Sequence, residues 1–380
     1  MKNRRKLIFI TLATLLLLAT SGALYYFLAL RPAVPANEDT GTKTGSPIFP
    51  STGGARATTT RGTTGDGAGV RERASGHIFE VPFGKGGSRR LSNKTIPRVY
   101  EAYFAGKSRD SVILRYLRAD GETIETFVGK IKPSASAQNE GEVVGSFLPR
   151  NISDLDVSPS GTALFYLLPQ EGGGSSGVTA LPDGTRRTEV WTSPLRELLP
   201  SYVSDEQIAL ASKAANGADG ILYLLNSKTA LSTILLGPLP GLTALVSPNR
   251  AWIIYAVAEG GFLTTAVRDV KKGRDDTLSV RTLPEKCVWS RRDGEIAFCA
   301  VPSFFTGGTY PDDWYQGVVS FEDELWKIDA ESGRAQRLAG ISDEAGVLLD
   351  AVRLSLSPDE SHLLFINKRD GTLWAYRVAN

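Results

Sequence analysis

Histidine is nearly missing from this chain: His77 and His362 are the only two in 380 residues. Both fall in strand-like runs without a second ligand-type residue at metal spacing, so a zinc hydrolase lacks its donors. A Ser-His-Asp triad would have to recruit one of the same two. Methionine occurs once, at the start, and cysteine twice, with no Cys-x-x-Cys pair and no Walker loop behind a strand. Neither sign of charge dominates. Lys plus Arg total 43 against 41 Asp plus Glu. The small excess is accounted for by the first six residues and a polar spacer, which leaves no basic face for a phosphate backbone. These absences argue against nucleic acid as a partner and predict no catalytic, cofactor-binding or metal-binding residue.

Long uncharged runs are also scarce, with one exception. Lys2, Arg4, Arg5 and Lys6 precede the run Leu7 to Leu30, which carries no charge. Its length suits a helix crossing a hydrocarbon core of about 30 Å. The reading is a cytoplasmic stub (1–6), a single membrane span (7–30) and everything after it outside the cytoplasm, because positive charge stays inside. A cleaved signal peptide is the competitor, with Ser21-Gly22-Ala23 as its cleavage site, but the apolar run continues past it to Leu30. Residues 31–75 are Thr, Gly, Pro, Ser and Ala with few large apolar side chains, a composition that predicts a disordered spacer. Gly65-Asp66-Gly67-Ala68-Gly69 is not read as a nucleotide loop, since neither a strand before it nor a helix after it is expected.

The chain has 39 glycines and 20 prolines, and from Gly76 to Asn380 they punctuate short apolar strands in which one unit recurs. Ser108-Arg109-Asp110, Ser158-Pro159-Ser160-Gly161, Ser204-Asp205-Glu206, Ser247-Pro248-Asn249, Ser290-Arg291-Arg292-Asp293-Gly294 and Ser357-Pro358-Asp359-Glu360 each precede an apolar strand. A spacing of about 40–50 residues, stretched once by an insertion over 302–317, signals blades or solenoid units. The β-branched and aromatic content favours blades. Ser or Asp opening a turn bonds amides further along it, and Pro presets φ, so each copy links two antiparallel strands. Trp191, Trp326 and Trp374 open later strands and are read as packing between blades.

The stretches "LSLSPDESHLLFINKRDGTLWAYRV" and "LDVSPSGTALFYL" resemble the WD40-like repeats of TolB-type propellers, most clearly in the last copy and least at Ser108 and Ser204, where Pro is missing. The Trp-Asp and Gly-His marks of true WD40 repeats are absent. The resemblance implies toroidal β-architecture over residues 98–380 and protein or peptide binding, and it transfers no functional residue. The expected fold is therefore an all-β propeller over 76–380. It has six blades, with room for a seventh, and the strand around His77–Phe83 completes the last blade.

Cys287 and Cys299 flank the turn at Ser290–Gly294, and antiparallel register sets them opposite each other. A disulfide, requiring an oxidising compartment, stands against two buried thiols. The insertion carries Phe304, Phe305, Tyr310, Trp314 and Tyr315, which form either a partner-binding rim or a packed plug on one mouth of the ring. The acid pairs Asp275-Asp276 and Asp312-Asp313 and the triple Glu322-Asp323-Glu324 are read as solvated loop charge rather than glycosidase acids. The leading functional expectation is a membrane-anchored extracytoplasmic scaffold that binds an envelope protein or peptide without turnover. A carboxylate-based hydrolase acting on glycan or peptide is the alternative, and two acids sharing a pocket near the axis would favour it.

Overall fold

The computed structural model describes residues 57–64, 67–72, 75–82, 88–92, 94–108, 110–132 and 141–378. The chain divides into two compact units, 1–43 and 44–380, and every described residue belongs to the second. The membrane segment expected at 7–30 lies outside the described residues. Among those described, no helix is long and apolar enough to cross a membrane.

Antiparallel meanders make up nearly all of the described chain. A leading sheet consists of β1 (Ala57–Thr64), β2 (Gly67–Glu72), β3 (Ile78–Pro82) and β4 (Arg89–Arg90). Blade 1 is β5 (Val99–Ala105), β6 (Ser111–Leu117), β7 (Ile124–Lys132) and β8 (Glu142–Phe147). Blade 2 is β9 (Asp154–Val157), β10 (Leu164–Pro169), β11 (Ser175–Ala180) and β12 (Thr188–Ser193). Blade 3 is β13 (Leu198–Tyr202), β14 (Gln207–Ser212), β15 (Asp219–Asn226) and β16 (Ser232–Pro240). Blade 4 is β17 (Thr243–Val246), β18 (Trp252–Glu259), β19 (Phe262–Asp269) and β20 (Arg274–Thr277). Blade 5 is β21 (Cys287–Trp289), β22 (Ile296–Pro302), β23 (Asp323–Asp329) and β24 (Arg334–Ala339). Blade 6 has three strands, β25 (Ala351–Leu356), β26 (His362–Asn367) and β27 (Leu373–Arg377).

The protein is thus an all-β propeller in which each of the six Ser-led turns joins the first two strands of one blade. Strand alternation puts the connections between first and second and between third and fourth strands on one face, the turn face. Second-to-third connections and the crossovers between blades emerge on the other, the crossover face. The turns work as their residue types dictate. Ser158 Oγ accepts the amides of Thr162 and Ala163 at 3.1 and 3.0 Å, and Ser247 and Ser357 Oγ accept those of Trp252 and His362 at 2.9 Å. Gly161 has φ +73°, and a Cβ there would lie 2.6 Å from the carbonyl oxygen of Gly106 in the neighbouring turn, so only glycine fits.

No single core runs through the molecule. Apolar clusters sit between consecutive sheets, for instance Phe165, Leu167, Leu198, Ile208 and Leu210 between blades 2 and 3. Another holds Trp252, Val267, Trp289 and Cys299 between blades 4 and 5. The tryptophans at strand starts contribute as expected: Trp374 is buried between blades 5 and 6, and Trp191 donates to Ser232 Oγ of blade 3 at 3.2 Å.

Two expectations about the beginning of the domain are corrected. Residues 57–72, assigned to the spacer, supply β1 and β2. Threonine is β-branched and fits a pleated sheet despite its polarity, which a composition argument for disorder overlooks. Gly67–Gly69 lie in β2, behind a strand but opening no helix. The strand near His77 does not complete the last blade. As β3 it pairs with β2 and β4, and blade 6 keeps three strands. The ring gap is filled by the whole leading sheet, with β1 against β5 on one side and β26 and β27 on the other. Partners a few residues away close a shorter loop than partners some three hundred away.

Adjacent turns are also tied to each other. Glu360, in the turn of blade 6, accepts from the turn of blade 5 through Ser290 Oγ at 2.6 Å and the amides of Arg291 and Arg292 at 2.7 and 3.2 Å. Replacing Glu360 by Ala is expected to cost about 1–2 kcal/mol, since three donors lose a charged acceptor. Urea unfolding should show a lower midpoint with an unchanged slope.

Candidate functional site

The crossover face carries the candidate site. Between β22 and β23, residues 303–322 leave blade 5 and fold back over that face, with one short helix, α1 (Asp312–Tyr315). Tyr310, Trp314 and Phe321 are buried against Ala256, Ala258 and Leu263 of blade 4. Their rings stack, with centroids 5.7 Å apart for Tyr310–Phe321 and 6.0 Å for Trp314–Phe321, and Phe305 meets Tyr310 edge-on at 5.2 Å. Tyr315 is half-buried and donates to Glu285. Phe304 alone of the five projects outward, 56% exposed. The insertion is therefore a packed plug with one aromatic on its outer surface.

Beneath the plug lies an ion cluster. Lys286, fully buried, reaches Asp350 Oδ1 at 2.6 Å, Asp323 Oδ2 at 2.8 Å and the carbonyl of Ala351 at 2.9 Å. Its ammonium also lies 5.0 and 5.3 Å from the ring centroids of Trp314 and Phe321. Asp350 Oδ2 accepts from Trp314 Nε1, Ser320 Oγ and the amide of Phe321, each at 3.0 Å. The outer ends of the plug are held by Asp312, which accepts the amide of Asn216 in blade 3 at 2.7 Å, and by Lys368 of blade 6, which donates to the carbonyl of Trp314. Burial raises the Asp323 carboxyl to about 6 against the pull of Lys286. Burial would raise Asp350 too, but Lys286 and the hydrogen bonds it accepts hold it below its ordinary value.

A second charged group borders the same face nearer the start of the ring. Arg115 of β6 is buried and bonds Glu101 of β5, the carbonyls of Ile152 and Ser153 at 2.7 and 3.0 Å, and Asp154 of β9 at 3.4 Å. A bulge in β25 between Val352 and Ser355 sets Arg353 at φ 54°, from where it reaches Glu101 at 3.0 Å. Burial opposes ionisation of Glu101, but Arg353 and Arg115 hold its carboxyl below the ordinary value. Asp154, a quarter exposed, is pushed up to about 7 by burial and by the charge on Glu101.

The other sequence candidates are placed as follows. Cys287 and Cys299 are paired in register and joined by a disulfide. Asp275 and Asp276 pair with Arg268 and Arg274 at 2.7 and 2.8 Å, and Asp313 accepts the amide of Thr309 at 2.7 Å. Asp323 departs from the solvated reading: period-two alternation in β23 turns it into the core while Glu324 faces Arg337 at 2.9 Å. His77 bonds Arg90 and Thr95, and His362 bonds Ser361. One run that the sequence reading passed over, Gly173-Gly174-Ser175-Ser176-Gly177, has the letters of a Gly-x-Ser-x-Gly elbow, but Ser175 is buried at the start of an antiparallel strand and donates to the carbonyl of Leu195 at 2.8 Å. Among the described residues no three His, Cys, Asp or Glu converge as metal ligands. Sequence reasoning missed Lys286, Asp350, Glu101 and Arg115. A usable signal was available: Lys286 and Asp350 each stand immediately before the first strand of a blade, a charge where an apolar strand begins.

Comparison with known proteins finds no matching family and no similar curated sequence. Solved structures do match. An oligogalacturonate lyase in complex with manganese is 12% identical over 89% of this chain and 96% of its own, with a TM-score of 0.55. The oligogalacturonate lyase of Vibrio parahaemolyticus is 8% identical over 89% and 97%, at 0.56. The tricorn protease is 11% identical, at 0.54, and this chain spans only 34% of its length. At such identities the likeness is one of fold.

Two predictions follow from the charged layer. Lys286→Met strands two buried carboxylates and should cost about 3–5 kcal/mol, read as a lowered unfolding midpoint. Glu285 is raised by burial to about 7 from 4.5, and its second oxygen is buried without a partner. The folded chain then holds a proton that the unfolded chain releases between pH 4.5 and 7, so this group makes stability fall as pH rises through that window. In a thermal series from pH 4.5 to 8, the Glu285→Gln variant should gain on the parent as pH rises and exceed it above pH 7.

Proposed function

We propose that the protein is a binding scaffold: a propeller, anchored through residues 7–30 and held outside the cytoplasm, that engages an envelope protein or peptide on its crossover face. The observation that carries this reading is the exposed apolar surface around the plug. Phe262 (73%), Phe304 (56%), Val318 (70%), Val347 (48%) and Leu348 (48%) come from second-to-third connections or crossovers of blades 4 to 6, so all five emerge on one face. Three buried acids of that face, Glu101, Asp323 and Asp350, are answered by Lys286, Arg115 and Arg353, which makes them fixtures of the wall. The disulfide suits an oxidising compartment. No nucleic-acid partner and no cofactor enter this reading.

Two observations support a lyase or hydrolase as the second reading. Asp154 is partly exposed on an innermost strand with its carboxyl near 7, a value useful to a general base, and the fold is shared with oligogalacturonate lyases.

Both readings are tested with the full chain. Proximity labelling in native membranes should return a reproducible envelope neighbour that is lost from the Phe304→Asp/Val318→Asp variant, while its melting temperature stays within about 1–2 °C, as exposed substitutions allow. Incubation with oligogalacturonate should release no unsaturated product. Turnover that drops at least a hundredfold in Asp154→Asn would replace the scaffold by the enzyme.

A further inference from the structure

The fourth strand of a blade forms its outer edge, and an edge presents unpaired amides and carbonyls that proteins guard with charge, with proline or with bulges. Five of the six described fourth strands use charge: β4 carries Arg89 and Arg90, β8 Glu142, β12 Glu189, β20 Arg274, Asp275 and Asp276, and β24 Arg334 and Arg337. The remaining one, β16, reads Ser-Thr-Ile-Leu-Leu-Gly-Pro-Leu-Pro, nine residues with no charge, of which Pro238 and Pro240 guard the second half and leave Ser232–Leu236 open. It pairs with β15 on one side and is the last strand of its sheet on the other. Ile234 is 58% exposed on it and Leu231, just ahead of it, 70%.

The strand is also shaped. Its register slips twice against β15, and Gly237, at φ +106°, stands where a Cβ would be 2.4 Å from the carbonyl oxygen of Gly220. The bend this produces leaves a cavity of about 360 Å³ between blades 3 and 4, lined by Leu235, Leu236, Pro238 and Leu239, with Tyr255 and the Arg268–Asp275 pair also lining it. The cavity is open and mixed, aliphatic along β16 and ionic at Arg268–Asp275, and an uncharged edge beside it offers what an added strand uses: backbone pairing along the edge and one side chain against the aliphatic wall.

We propose that β16 is a docking edge for an uncharged, extended peptide segment of a partner, pairing over about five or six residues and placing an apolar side chain in the cavity next to Leu236. The proposal rests on the reading of the propeller as a protein- or peptide-binding module and adds to it a second surface away from the plug.

The test pans the full chain, in detergent micelles, against a phage-displayed library of random decapeptides, and measures synthetic copies of the enriched sequences. The expected result is enrichment of uncharged peptides rich in β-branched and aromatic residues, with slowed hydrogen exchange of the β16 amides on binding. Ile234→Lys and Leu231→Lys should each weaken binding at least about tenfold without moving the thermal midpoint, since both positions are exposed. Peptides that bind Ile234→Lys as well as the parent overturn the docking edge. Protection confined to the loops around Phe304 overturns it while leaving the scaffold reading intact, and a library without enrichment removes both. A concentration-dependent dimer abolished by Ile234→Lys would assign the edge to a second copy of this chain.

Discussion

One buried cation organises the crossover face. Lys286 arrives from the crossover between blades 4 and 5, Asp323 from the third strand of blade 5, and Asp350 from the crossover between blades 5 and 6. An ammonium wholly removed from water is tolerable only with opposite charge and hydrogen-bond acceptors in fixed places, so the three segments cannot shift independently. Asp350 then spends its second oxygen on the plug, through Trp314, Ser320 and Phe321. The plug is seated by the same group that fixes the angle between two blades. A partner meeting Phe304 or Val318 would thus meet a surface held by the ring itself rather than by a loop alone.

The same chemistry bears on what the face can do. Acid catalysis asks for carboxylates whose protons are available to a substrate, and a carboxylate locked on a guanidinium or ammonium is poor at that. Glu101, Asp323 and Asp350 are locked. Asp154 sits 3.4 Å from Arg115 and accepts the amide of Leu155, weaker restraints that leave burial and the charge of Glu101 dominant. The face is therefore mostly wall, with two acids, Asp154 and Glu285, that no ammonium or guanidinium holds closely.

Much of the architecture was legible because propeller turns are chemically demanding. A serine that must cap amides, a proline that must preset φ and a glycine without room for a Cβ leave residues that can be counted, and all six counted turns are first hairpins of blades. The register across one such turn likewise sets Cys287 against Cys299. What escaped reading was governed by side-chain direction and by distant partners. Glu322-Asp323-Glu324 looks like a solvated acidic loop until β23 begins at Asp323 and turns that residue inward. The plug's aromatics were visible as a group, but their packed state depends on Asp350 and Lys368, which lie beyond β23 and β24. The Thr-rich run became strand because β-branched threonine suits a pleated sheet and β1 packs against β5 of blade 1, a placement that composition alone does not carry.

Ring closure ties these points together. Closing a propeller with a strand borrowed from the opposite terminus makes backbone hydrogen bonds across the gap; here a separate sheet fills the gap and blade 6 keeps three strands. Contact between sheets must then hold the ends. Ile78, Ile96, Val99, Phe104 and Phe127 form the apolar part of that contact on the side of blade 1. From the other side, Arg353 of blade 6 reaches Glu101 of blade 1 directly, using a bulge that costs local ladder pairing. A non-glycine residue at positive φ persists where its surroundings over-determine it. Arg353 binds the last blade to the first through Glu101, which places the closure of the ring and the charged wall of the crossover face in the same pair of residues.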